Sequence, residues 1–145
     1  MAEPTVVIQL VYSSSATIPF DAAALRELLT RARAHNTAAG VSGVLLHVDG
    51  SFLQVLEGEP APVHWLLARI EADRRHKRVL KLVERDITER NFPDWSMGFF
   101  DASGHAASVI GYRTTTGFAD LMGDTATLLR VVTDFRDGRW RTLAA

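Results

Sequence analysis

Three polar side chains interrupt otherwise apolar patterns in this chain of 145 residues. Gln54 lies inside Phe52-Leu53-Gln54-Val55-Leu56. Asn36, with His35 before it, continues the apolar stripe of a helical segment. Tyr12 completes the alternating set Val6, Ile8, Leu10. The groups they bring are for hydrogen bonding. A buried amide carries two donors and an acceptor that need partners. Gln54 can also be read as a glutamine at a sheet margin, bonded to water or a loop carbonyl. Asn36 can be read as the C-terminal cap of its helix. Other chemistries are poorly served. Zero cysteines exclude disulfides, thiolate metal sites and cysteine nucleophiles. The histidines at 35, 47, 64, 76 and 105 are scattered, so no metal site is expected. No GxGxxG or Walker-type phosphate loop is present.

The elements that must position these groups follow from periodicity. Val6 to Ser13 reads as a strand. Pro19 to Asp21 opens a helix with Asp21 as N-cap and Leu25, Leu28, Leu29 and Ala32 as its stripe. From Gly40 to Gly58, two apolar runs flank Asp49-Gly50, a dipeptide suited to a two-residue hairpin turn. That turn pairs Val48 with Ser51, His47 with Phe52, Leu45 with Gln54 and Gly43 with Leu56. Glu59 to Pro62 suits the first turn of a second helix, with Val63, Leu66, Leu67 and Ile70 inward. Val79 to Ile87 and Trp95 to Phe100 read as strands, and Arg74 to Arg78 as a solvated helix end. Asp124 can cap a final helix carrying Leu128, Val131, Val132 and Phe135 on one stripe.

The order β-α-β-β-α-β-β predicts an α+β, ferredoxin-like sandwich with two helices on one face of a sheet. The first and third strands are then central neighbours. Tyr12 and Gln54 form the floor of a groove between the helices, and Asn36 stands at one end. The sheet's other face would expose Val44, Leu46, Val48, Leu53 and Val55. The C-terminal helix is expected to cover it, in its own subunit or in a partner's.

Several segments together resemble one family, the BLUF domains, sensors of blue light using FAD. They are LVYSS with Tyr12, HNTAAGVSGVLL with Asn36, FLQVLEG with Gln54, RIEADRRH with Arg69 and Asp73, and FPDWSMGF with Trp95 and Met97. Ser42 stands where the family often has threonine. The resemblance runs from Val6 to Phe100. It implies a flavin-binding domain at residues 5–101 and a helical extension at 102–145. It also implies noncovalent FAD between the helices, held by His35, Asn36, Gln54, Arg69 and Asp73, and a photoactive set of Tyr12, Gln54, Trp95 and Met97. An electron and a proton would leave Tyr12 by way of Gln54, whose amide would then rotate or tautomerise. Without the resemblance, Arg69 and Asp73 read equally well as a surface ion pair, and Met97 as core filling.

The net charge of −1 and the lack of a long basic stretch argue against a nucleic-acid footprint. No apolar run is long enough to span a bilayer, and no signal peptide is evident. A cytoplasmic protein is expected. Residues 101–145 leave no room for a catalytic output domain, so the expectation is a non-enzymatic sensor, homo-oligomeric, that signals to a separate partner protein. A light-inert ferredoxin-like interaction module is the alternative, but a packing scaffold has no need of three polar groups around one groove. An acylphosphatase-like hydrolase would need a cationic anion cradle, and the loop Ser13-Ser14-Ser15-Ala16-Thr17 has no arginine.

Overall fold

The computed structural model describes residues 6–17, 21–48, 50–93, 96–101 and 125–136. The strands are β1 (Val7–Ala16), β2 (Ser42–Val48), β3 (Ser51–Gly58), β4 (His76–Ile87) and β5 (Gly98–Asp101). The helices are α1 (Ala22–Ala39), α2 (Pro60–Ala72) and α3 (Thr125–Arg136). They build a five-stranded sheet of order β4-β1-β3-β2-β5. As the sequence predicts, β1 and β3 are central neighbours, antiparallel, with Tyr12 opposite Gln54. The hairpin register is also the one expected: Val48 faces Ser51, and Leu45 faces Gln54. Asp49 lies outside the described residues, while Gly50 sits at a φ of 85°, which suits glycine. Gly43 meets its neighbour too closely for a side chain, because a Cβ there would collide with the Val55 carbonyl oxygen.

Alternation divides the sheet into two apolar layers. Ile8, Leu10, Tyr12, Leu45, Phe52 and Leu56 face α1 and α2, where Leu25, Leu29, Val63 and Leu66 meet them. Val11, Val44, Leu46, Val48, Leu53 and Val55 face the opposite way and are buried with Leu128, Val131 and Val132 of α3. The C-terminal helix therefore does cover the far face, within the same chain. The Phe135 side chain lies outside the described residues. No helix among the described residues is long and apolar enough to cross a membrane.

Three details settle or correct readings of the sequence. Asn36 does not cap α1. The helix continues to Ala39 and ends on Gly40, whose left-handed φ of 70° and N–H bonded to the Asn36 and Thr37 carbonyls close the last turn. At the other end Asp21 is the N-cap as expected, its Oδ1 accepting from the Ala24 N–H at 2.8 Å. Second, α2 stops at Ala72, so Arg74 to Arg78 is not a helix end: Arg74 and Arg75 form a turn and β4 already begins at His76. Two register shifts against β1 interrupt β4, and Arg78 takes a φ of 53° near one of them. Bulges of this kind erase the period-2 pattern that identifies a strand. Third, β5 is shorter than expected and pairs parallel with β2. β4 and β5 occupy opposite edges of the sheet, and the described residues 90–92 after β4 bond to the ends of β2 and β3. Trp95, expected in this strand, lies outside the described residues.

If α3 is part of the core, Leu128→Ala should lower stability by about 2–5 kcal/mol, the usual cost of emptying a fully buried leucine site. Urea denaturation of full-length protein checks this, and an unchanged midpoint would mean that α3 covers nothing.

Candidate functional site

The inner face of the sheet and the facing sides of α1 and α2 leave a cleft of about 430 Å³. This falls within the usual range for small-molecule sites, about 300–1,000 Å³. Leu28 and Ala32 of α1, Leu66 and Ile70 of α2 and Leu56 of β3 give it apolar walls. Most of its polar groups come from the ends of elements, with Arg31 further back on α1. His35 and Asn36 stand on the last turns of α1, Arg69 on the last turn of α2, and Asp73 and Arg75 just after it. Gln54 reaches it from β3. A smaller cavity of about 70 Å³ shares Leu28, Ala32, Gln54 and Ile70 with the cleft and extends to Tyr12, Phe52, His76 and Met97.

The polar groups on the floor are buried and incompletely paired. Tyr12 is 2% exposed, and among the described residues its hydroxyl has no hydrogen-bond partner. Burial pushes the phenol's pKa well above its usual value, so Tyr12 is neutral at any physiological pH. The Gln54 amide donates from Nε2 to the Met97 sulfur at 3.4 Å, a weak acceptor. Its Oε1 has no partner among the described residues. Asn36 donates from Nδ2 to the Ser96 carbonyl at 2.6 Å. It retains Oδ1 and its second N–H for a ligand. Buried polar atoms left open at a cavity wall cost stability unless something else satisfies them. A planar molecule with donors and acceptors along one edge, such as a flavin ring, fits this set.

The remaining residues divide. Asp73 and Arg69 do not pair with each other. Asp73 binds Arg75 through both carboxylate oxygens, Nε lying 3.1 Å from each and a terminal nitrogen 2.7 Å from Oδ2. The side-chain hydrogen bond from Arg75 holds the Asp73 pKa at about 2, against the opposing effect of burial. Arg69 instead stacks 4.8 Å from the Trp65 ring. Among the described residues it has no carboxylate partner, whereas Arg31 is paired with Glu27 at 2.7 Å. His35 lines the cleft from an exposed position. Met97 is 2% exposed and fills the core, and its sulfur also accepts from the Gln54 amide.

The sequence argument missed Arg33, Arg75 and His76. The Arg33 Nε donates to the Met97 carbonyl at 3.0 Å. It lies off the apolar stripe of α1, so periodicity hid it. His76 approaches Ser14 at 3.2 Å. Burial lowers its pKa, partly countered by Asp73. Both Arg75 and His76 sit in the charged stretch that reads as a solvated helix end.

With this geometry in place, comparison with known proteins is decisive. Residues 7–98 match the family described as sensors of blue light using FAD. The chain belongs to the BLUF family. The cofactor that defines the family is thus FAD, in keeping with the open donors and acceptors of the cleft. Photoactivated adenylate cyclase subunit beta of Euglena gracilis is 36% identical over 97 residues, which is 66% of this chain but 11% of that protein. The chain therefore spans about a tenth of the length of that curated relative. Among solved structures, the BlsA ground state superposes with a TM-score of 0.77 at 28% identity, covering 90% of this chain and 87% of that one. The dark-state structure of the BLUF protein BlrB superposes with 0.70 at 28% identity, covering 88% and 96%.

The Asp73–Arg75 pair makes a prediction about acid stability. A depressed native pKa means that the unfolded chain binds the proton more readily. The pair's contribution is complete above the unfolded aspartate value of about 3.9 and is lost as pH falls through about 2. Urea titrations of wild type and Asp73→Asn should therefore diverge above pH ~4 and converge toward pH ~2. A constant gap over this interval would show that the pair does not titrate as stated.

Proposed function

We propose that Tyr12 and Gln54 are the photoactive pair, and that Asn36 and Arg69 are the principal flavin-holding side chains. The observation that carries this is the rung in which Tyr12 faces Gln54 across the two central strands. The Tyr12 hydroxyl and Gln54 Oε1 are buried there and unpaired among the described residues. When bound, FAD supplies blue-light absorption and an electron-accepting excited state. With FAD bound, Tyr12 would be the donor of an electron and its Oη proton to the excited flavin, and would take both back when the pair recombines. Gln54 relays that proton through its amide and is left rotated or tautomerised. The bond that holds the amide, to the Met97 sulfur, is weak, so turning it sacrifices little. Trp95, next to Ser96, belongs to the same proposal as a neighbour of the switch.

The Asn36 amide would hold the flavin edge with Oδ1 and its remaining N–H while keeping its bond to the Ser96 carbonyl. Arg69, cationic and without a carboxylate partner among the described residues, suits the anionic diphosphate of FAD. Its neighbour Asp73 is engaged by Arg75 and contributes mainly by fixing that guanidinium at the cleft. His35 packs at the open side. In this proposal residues 5–101 form the sensing domain and 102–145 the extension that carries α3. The protein acts in the cytoplasm as a homo-oligomer. It catalyses no turnover of its own and passes its signal to a separate partner.

Purified protein should be yellow with flavin released on denaturation, since no cysteine is available for an adduct. Blue light should move the flavin band slightly to the red without bleaching, and darkness should reverse the shift. Tyr12→Phe and Gln54→Leu should each keep flavin and lose the reversible shift. Asn36→Ala should keep the shift in the bound fraction and weaken flavin retention by about tenfold, the loss of one hydrogen bond of roughly 1.4 kcal/mol. Light-minus-dark spectra and flavin titrations read all of these. A normal photocycle in Tyr12→Phe would place the switch elsewhere, and a colourless protein unable to take up FAD would favour a light-inert module.

A further inference from the structure

On the opposite face of β3, three residues from Gln54, the Glu57 carboxylate has no solvent exposure. Its oxygens accept from Gln9 Nε2 at 2.9 Å, from Asn91 Nδ2 at 3.0 Å and from the Phe92 backbone N–H at 2.8 Å. Among the described residues, no lysine or arginine stands within ion-pair distance of it. Arg85 reaches it only through Gln9, its Nε donating to the Gln9 Oε1 at 2.9 Å. Burying a carboxylate on hydrogen bonds alone is costly, and an apolar residue would fill the same space more cheaply. Two of its three donors belong to the segment after β4. Arg90 ties that segment further, to Ser42 Oγ at 2.9 Å, the Glu57 carbonyl at 3.1 Å and the Gly40 carbonyl at 2.7 Å.

The side chain of Phe92 in this anchored stretch is buried in the same apolar core as Leu128, Val131 and Val132 of α3. Four and five residues further on, the Ser96 carbonyl accepts from Asn36, and the Met97 sulfur from Gln54. Phe92 is thus fixed to the face under α3, while Ser96 and Met97, a few residues on, are fixed to Asn36 and Gln54 of the site.

We propose that Glu57 is a positioning residue that couples the state of Gln54 to the docking of α3, a claim that rests on the light-sensing function above. Turning the Gln54 amide withdraws Nε2 from the Met97 sulfur and frees the end of the segment. With its start held by Glu57, the segment passes the displacement to Phe92 and the α3 core. Without that anchor the chain has slack and absorbs it. Coupling of this kind needs more than proximity to establish it, and a double-mutant cycle supplies the measure.

The cycle times dark recovery of the spectrum after a blue pulse in four full-length proteins: wild type, Val132→Ala, Glu57→Gln and the double variant. Val132→Ala trims the contact of α3 with the sheet. It is expected to change the recovery rate about fivefold when Glu57 is present, the lower end of ordinary coupling. In the Glu57→Gln background the change should fall below about twofold, while the size of the red shift stays the same in all four. A Glu57 that merely stabilises the fold gives the same Val132→Ala factor in both backgrounds, and that result overturns the proposal. So does a Val132→Ala variant that recovers at the wild-type rate. If Glu57→Gln fails to hold flavin, Asn91→Ala takes its place and the same comparison decides. A wild type with no red shift removes the light-sensing function itself, and this coupling with it.

Discussion

The register between β1 and β3 is the constraint on which the site depends. These antiparallel strands face Tyr12 with Gln54, and both side chains point to the face covered by α1 and α2. Side chains alternate with period two, so a slip of one residue in either strand would send one member of the pair to the opposite face. The slip is opposed from both directions. The inner set of Leu10, Leu45, Phe52 and Leu56 and the outer set of Val11, Val44, Leu46, Leu53 and Val55 are each buried in their own core. The rung is thus secured by two hydrophobic layers, while its polar atoms remain open for a ligand.

The outer face repeats the theme in polar form. Arg85, Gln9, Glu57 and Ser42 occupy successive rungs across β4, β1, β3 and β2. Their hydrogen bonds run perpendicular to the strands, from Arg85 to Gln9 and from Gln9 to Glu57. Because Arg90 closes the row onto Ser42 and Gly40, the path of the chain from one sheet edge to the other is set by side chains as well as by backbone pairing. Fully satisfied buried networks of this type specify geometry more than they add stability.

Much of this was legible from the amino-acid sequence where a period ran unbroken. The hairpin register followed from two apolar runs of matched parity around Asp49-Gly50, and the pairing of Tyr12 with Gln54 followed from topology. The outward stripe of Leu128, Val131 and Val132 announced a helix with a face to bury. Legibility failed where geometry departed from a regular period. The bulges in β4 concealed His76 to Arg78 as strand, and the left-handed stop at Gly40 rather than the polarity of Asn36 ended α1. The place of β5 depends on a crossing fixed by side-chain bonds 33–50 residues apart in sequence, which no local window contains. Glu57 did leave a signal, an acid on an otherwise apolar strand face, but its donors lie in a segment with no periodicity.

The twisted outer strand has a consequence of its own. β4 forms one margin of the sheet and carries Lys77, Arg78, Lys81 and Arg85 along a path broken by two register shifts. Such a margin is a poor template for another polypeptide, because the irregular backbone interrupts the hydrogen-bond ladder. The opposite margin, β5, offers only the short stretch Gly98–Asp101. Among the described residues, neither margin therefore offers a long regular ladder for an added strand to join.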